Sequence, residues 1–329
     1  MRKALRIVGI IIVVIILFVV GAGTYVKAFL PDVGPAPDLK IVSTPEKVAH
    51  GQYLANHVMI CMDCHSTRNW NFYAGPIEHD SLGIGGEIFD QKMGFPGAIY
   101  SANITPAGIG NWTDGEIFRA ITSGVRKNGK AIFPVMPHDN YGRLDPRDIE
   151  DIVCYLRSLP TIATTPPESE YDFPMNFIIN TIPKKPAFSK KPDTADRLAY
   201  GRYMITAAAC GNCHTPSEKG KLDSALLFSG GGSFSMPGGL VTSANLTPDK
   251  ETGIGNWTKE LFIAKFSAYR DSTFAHRPIN IMSDPSTVMP WPVYGGMSDS
   301  DLGAIYEYLS SLKPITNKVT KFQPYPATK

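Results

Sequence analysis

The sequence predicts an all-α protein, and three observations carry that expectation. Helix-start signals stand before apolar stretches at Thr44-Pro45, at Thr113 with Glu116 three residues on, and at Asp145-Pro146. Apolar residues such as Ile149, Ile152, Val153 and Leu156 follow helical spacing, and no extended alternating run argues for a substantial sheet. The same signals return in the second half of the chain, before helices expected near Thr194, after Thr258 and up to about Leu312.

That recurrence is a duplication. GQYLANHVMICMDCHS (Gly51 to Ser66) is answered by GRYMITAAACGNCHTP (Gly201 to Pro216). SANITPAGIGNWT (Ser101 to Thr113) is answered by SANLTPDKETGIGNWT (Ser243 to Thr258), and MPHDNYG (Met136 to Gly142) by MPWPVYG (Met289 to Gly295). DIEDIVCYLRSLP (Asp148 to Pro160) is answered by DLGAIYEYLSSLKP (Asp301 to Pro314). Four blocks in one order predict two similar domains, 45–160 and 194–315. The intervening 161–193 holds six prolines and the apolar patch MNFIINTI (Met175 to Ile182), so it is expected to lie across a domain surface. Residues 316–329, with Lys318, Lys321 and Lys329, read as a solvated tail.

Arg2, Lys3 and Arg6 precede Ile7 to Val26, twenty residues without a charge. At about 1.5 Å per residue such a helix crosses the ~30 Å core of a bilayer. The positive flank places the N-terminus in the cytoplasm and everything after Lys27 outside. Residues 1–27 are therefore expected to be a single-pass anchor in the cytoplasmic membrane. A signal peptide with a cleavage site near Gly21 and Gly23 is the competing reading, and it also implies export. A net charge of +2 over 329 residues marks no nucleic-acid-binding surface.

Four of the five cysteines form two pairs, Cys61/Cys64 and Cys210/Cys213, each followed at once by a histidine, His65 or His214. C-x-x-C-H is the pattern of covalent haem attachment: two thiols on one turn bond the porphyrin and the adjacent imidazole faces its iron. A thioredoxin-like pair calls for a βαβ unit that is not visible. A zinc site built from both pairs fits poorly with their separation and with the histidine after each. Two covalent haem c groups are expected. An electron carrier needs a sixth ligand, and methionine raises the potential of a His-ligated haem. Met136 and Met289 keep the same place before proline in both copies, whereas Met282 and Met297 find no methionine opposite them. Cys154 reads as a buried helix residue. His57 and His138 read as neighbours of the site or surface residues, and Trp112 and Trp257 as core residues or propionate donors. The N-x-T triplets at Asn103, Asn111, Asn245 and Asn256 read as loop and capping chemistry.

These blocks resemble class I c-type cytochromes, and in particular the membrane-bound cytochrome c subunits of bacterial alcohol and gluconate dehydrogenases. The resemblance covers most of 45–160 and 195–315. It implies tandem class I domains in which His65 with Met136, and His214 with Met289, bind the iron. It also implies a redox partner: a dehydrogenase, a quinol-oxidising complex or an oxidase. The expected role is electron transfer in a respiratory chain, without catalysis of its own. The alternative is a dihaem enzyme, a peroxidase or a thiosulfate-oxidising cytochrome.

Overall fold

A computed structural model describes residues 2–218 and 220–326, so Lys329 of the tail lies outside the described residues. The chain opens with α1 (Arg2–Phe29), 28 residues with no buried side chain and a mean hydropathy of 3.0 over its most apolar window. Length and composition alone suffice for it to span a bilayer.

The first repeat begins with α2 (Pro45–Tyr53), whose N-cap Thr44 accepts from the Lys47 amide at 3.3 Å. A π-turn over Leu54–Val58 follows, then the short α3 (Cys61–Cys64). The first copy has one more residue between Gly51 and Cys61 than the second has between Gly201 and Cys210. A π-turn takes up one residue without breaking the helix, and here it absorbs that insertion. Strands β1 (Ile88–Phe89) and β2 (Gly97–Tyr100) precede α4 (Pro106–Ile109). α5 (Asp114–Ser123) carries the expected capping box between Thr113 and Glu116. α6 (His138–Tyr141) and α7 (Pro146–Ser158) complete the repeat.

The connector holds β3 (Glu170–Tyr171), which pairs with β2, and α8 (Met175–Ile178), which packs against α1. Ile179, just after α8, is buried.

In the second repeat α9 (Arg197–Ala207) starts from the cap Asp196, two residues later than Thr194 suggested. α10 (Cys210–His214), β4 (Ser217–Glu218) and β5 (Lys221–Leu222) follow, then the hairpin of β6 (Ser233–Met236) and β7 (Gly239–Thr242). α11 (Lys259–Ser267), α12 (Ser272–Ala275), α13 (Trp291–Tyr294) and α14 (Asp299–Ser310) close it. The tail is not merely solvated: β8 (Phe322–Pro324) adds a third strand beside β7.

Helices dominate, but the all-α expectation needs amending by three small antiparallel sheets, β1-β2-β3, β4-β5 and β6-β7-β8. Each repeat is built on its first and last helices crossing at a glycine. A Cβ on Gly51 would lie 1.9 Å from the Asp151 carbonyl oxygen, and one on Gly201 would lie 2.0 Å from that of Ala304. Glycine at these two positions lets the backbones touch, so the apolar faces of α2 with α7, and α9 with α14, close over one core. Cys154 is buried on α7 as expected. Leu144 and Met297, each one residue before a helix cap, are buried in that core with Ile149 and Leu302, the partners of a hydrophobic staple.

Candidate haem-binding site

The two attachment turns have one geometry. The residue before the first cysteine is left-handed in both, Ile60 at φ 48° and Ala209 at φ 50°, which breaks the preceding helix and restarts the chain as a turn. The two cysteines and the histidine then follow on that turn, in α3 and its C-cap His65, or in α10. His65 Nδ1–H donates to the Ala102 carbonyl at 2.7 Å, and His214 Nδ1–H donates to the Ala244 carbonyl, also at 2.7 Å. A histidine that donates through Nδ1 keeps a lone pair on Nε2 and a fixed ring plane, the state in which imidazole binds a metal. Desolvation holds both histidines below their usual range, which keeps them neutral; the carbonyl bond opposes this without reversing it.

Glycines bring those carbonyls within reach. Gly85 and Gly230, at φ +73° and +78°, donate their amides to the His65 and His214 carbonyls at 2.9 and 2.8 Å. A Cβ on either would meet the backbone of Ala102 or Ala244 at 2.5 Å. Neither glycine, nor either alanine carbonyl, was assigned a role from sequence. The signal was present as Gly85-Gly86 and Gly230-Gly231 in matching places of the two copies.

Met136 and Met289 share a second geometry. The proline after each is the centre of an inverse γ-turn, Pro137 at φ −79°, ψ 54° and Pro290 at φ −79°, ψ 60°. The turn is closed by His138 N–H to Met136 O at 2.7 Å and Trp291 N–H to Met289 O at 2.8 Å. A few residues on, the Tyr141 hydroxyl donates to the Met59 carbonyl and the Tyr294 hydroxyl to the Ala208 carbonyl, the latter at 2.6 Å. Each acceptor stands two residues before the first cysteine of its pair. One tyrosine in each repeat therefore ties the methionine turn to the attachment turn. Both methionines are half-buried and packed on the core, whereas Met282 is 66% exposed.

The residues fit a covalently held haem. All four thiols are surrounded deeply enough for desolvation to raise them, Cys61 and Cys210 to about 12 and Cys213 to about 11. Yet none of the four is sealed: Cys61, Cys64 and Cys210 are half-buried and Cys213 is exposed. Thiols raised this far are not the activated thiolates of a redox pair. Among the described residues no three His, Cys, Asp or Glu side chains gather into a metal-ion site.

His57 Nδ1 pairs with the Val293 carbonyl of the other repeat at 3.0 Å. His138 is not a surface residue: it is 2% exposed, its ring laid against Gly124. Trp112 and Trp257 pack against the core. Asn103 and Asn245 accept from the Thr105 and Thr247 amides at 2.9 Å, and their buried amides donate to Ile162 and Ile315 carbonyls, the loop role expected of them.

Residues 198–313 match the family model for cytochrome c. The second repeat is a cytochrome c domain. Such a domain implies covalent haem c, in agreement with the chemistry of its cysteines and histidine. The chain is 27% identical over 298 residues to the cytochrome c subunit of a quinone alcohol dehydrogenase from Gluconacetobacter polyoxogenes, covering 85% of this chain. It is 28% identical over 284 residues, 80% of its length, to the gluconate 2-dehydrogenase cytochrome c subunit of Pantoea cypripedii. It spans 59% of the length of each of those two relatives. A diheme cytochrome c-type of Cereibacter sphaeroides is 29% identical over 164 residues, covering 47% of this chain and 54% of that one. The cytochrome c domain of the second repeat and the matching turns of the first thus share one local construction.

Proposed function

We propose that this chain is a membrane-anchored dihaem cytochrome c, with one haem in each of two domains, 45–160 and 194–315, outside the cytoplasmic membrane. Cys61 and Cys64 hold the first haem and Cys210 and Cys213 the second. His65 and Met136 would hold the first iron, and His214 and Met289 the second. The observation that carries this reading is the duplicated histidine posture: the same Nδ1–carbonyl bond at 2.7 Å, with Nε2 free, in both repeats.

The haem supplies a one-electron couple. The protein's own residues do the rest. His65 and His214 are each held to one ring plane by a backbone carbonyl, which would present Nε2 to the iron in a fixed orientation. The methionine turns, fixed by Pro137 and Pro290, carry a soft thioether that favours the reduced iron. Were a histidine and a methionine to hold each iron, no place would remain there for a substrate, and the chain would relay electrons without catalysing. The resemblance to cytochrome c subunits of alcohol, gluconate and fructose dehydrogenases supports a dehydrogenase as electron donor. An oxidase or another downstream acceptor then takes the electron on the outer side of the membrane.

The intact mass of the purified protein tests the haem count. It is expected to exceed the chain by two haems, with Cys61→Ala/Cys64→Ala retaining one. Haem that is lost on acid–acetone extraction would overturn covalent attachment.

A further inference from the structure

The connector carries a surface that haem binding does not use. Phe173 is 81% exposed, the largest exposure of any large apolar side chain among the described residues, and Ile178 is 43% exposed. Soluble surfaces tolerate single apolar residues, but Phe173 stands two residues before α8 and Ile178 is its last residue, and α8 packs directly against α1. A Cβ on Gly23 would lie 3.6 Å from the Phe177 ring, and Lys27 Nζ sits 4.7 Å from its centroid. Phe173 and Phe177 share one apolar groove with Val19, Val20, Gly23 and Thr24. From Val20 to Val26 is about 9 Å along a helix axis. Side chains that line a groove with Val19 and Val20 therefore reach below the outer end of the apolar run.

The same end of α1 bears Tyr25 and Phe29, stacked at 5.5 Å and both exposed. Aromatic rings gathered at one end of a span, with a lysine over one of them, are the composition of a bilayer interface, where rings sit at headgroup level and Lys reaches outward. We propose that the Phe173–Ile178 segment is an interfacial membrane contact, with Phe173 and Ile178 entering the outer headgroup/acyl boundary beside α1. An apolar face of this kind settles within about 5–10 Å of the boundary. The contact has a consequence for the first haem site. Tyr171 pairs with Gly97 in β2, and β2 leads within a few residues to Ala102, the acceptor for His65. The segment thereby helps set how the first repeat lies against the membrane, together with residues 37–41, which pack on that repeat through Leu39 and the Ile41 N–H to Asp114 bond.

The inference rests on α1 being a membrane span, and its test separates the two. Full-length protein carrying p-benzoylphenylalanine at Phe173, Ile16 or Phe274 is reconstituted in phosphatidylcholine vesicles and irradiated. Peptide masses then show whether a phospholipid is attached. The expected result is a gain of one phospholipid mass at positions 173 and 16 and none at 274, an exposed site in the second repeat. Labelling at 16 without labelling at 173 overturns the interfacial contact and leaves the anchor standing. No labelling at either position removes the anchor and the contact together. Equal labelling at 274, or a cross-link from 173 to a second copy of the chain, also overturns it.

Discussion

The Tyr203 hydroxyl donates a 2.7 Å hydrogen bond to the Asp148 carboxylate and accepts the Asp145 amide at 3.0 Å. Tyr203 belongs to the second repeat, and both partners belong to the first. The converse contact is also present: the Tyr53 hydroxyl, at the equivalent position of the first repeat, donates to Asp301 and accepts the Ser298 amide at 3.0 Å. Asp148 corresponds to Asp301, and the cap Asp145 to the cap Ser298. Each repeat thus plugs its first helix into the N-terminus of the other's last helix, in a two-fold exchange. Asn140 to Thr206 at 3.1 Å and His57 to Val293 extend it. The methionine-side helix of each repeat therefore rests on the segment leading to the other's cysteines.

Tyr203→Phe is expected to destabilise the protein by about 1–3 kcal/mol, because the buried Asp148 carboxylate loses its hydroxyl donor and keeps the longer 3.4 Å contact to Lys191 Nζ. Tyr53→Phe should cost less, since Asp301 keeps the Tyr200 hydroxyl at 2.8 Å. Urea unfolding of the two variants checks the order, and a larger loss at Tyr53 would contradict it.

The same hydroxyls predict an alkaline limit. Desolvation and the neighbouring carboxylates hold Tyr53, Tyr200 and Tyr203 well above the ordinary tyrosine value. Above about pH 10 an unfolded tyrosine has released its proton while these keep theirs, so the folded state binds more protons and stability falls as pH rises. Below about pH 10 both states are protonated and the contribution is complete. Thermal melts from pH 8 to 11 should show the fall in the wild type and a shallower one in Tyr203→Phe.

Met289→Ala should abolish the weak methionine–ferric absorption band of one haem, lower its potential and open it to cyanide. Met297 is 1% exposed, under α14, at the place where the first repeat has Leu144. Met297→Leu should therefore leave the spectrum unchanged and cost less than about 1.5 kcal/mol. Rapid cyanide binding by the wild type would instead favour an enzyme with an open iron.

Gly201→Ala and Gly303→Ala should differ in sign. Both lie in helices, where alanine alone favours stability by roughly 0.5–1 kcal/mol. At 201 the new methyl meets the Ala304 carbonyl at 2.0 Å, and forcing the crossing apart should cost about 1–3 kcal/mol. At 303 its nearest neighbour is the end of the Arg197 side chain at 3.3 Å, which a small shift accommodates while its bonds to Ser300 and Glu307 are kept. Melting temperatures should fall for the first and hold or rise for the second.

Much of this was legible in the chain itself. The attachment turns, the caps Thr44, Thr113, Asp145 and Thr258, and the pairing of Met136 with Met289 are local patterns, written within a few residues and copied twice. Their physics is short-range: a cap serves the amide two or three residues on, and two thiols and an imidazole on one turn need no distant partner. The small sheets were not legible, because strands of two to four residues carry too little alternation to register. Nor was the burial of His138, or the strand that the tail adds beside β7. Tyr53 and Asp301 stand 248 residues apart, and either is ordinary in its own segment. Only tertiary structure brings them together, since a buried hydroxyl and carboxylate must be satisfied by whatever group the packed helices bring within reach.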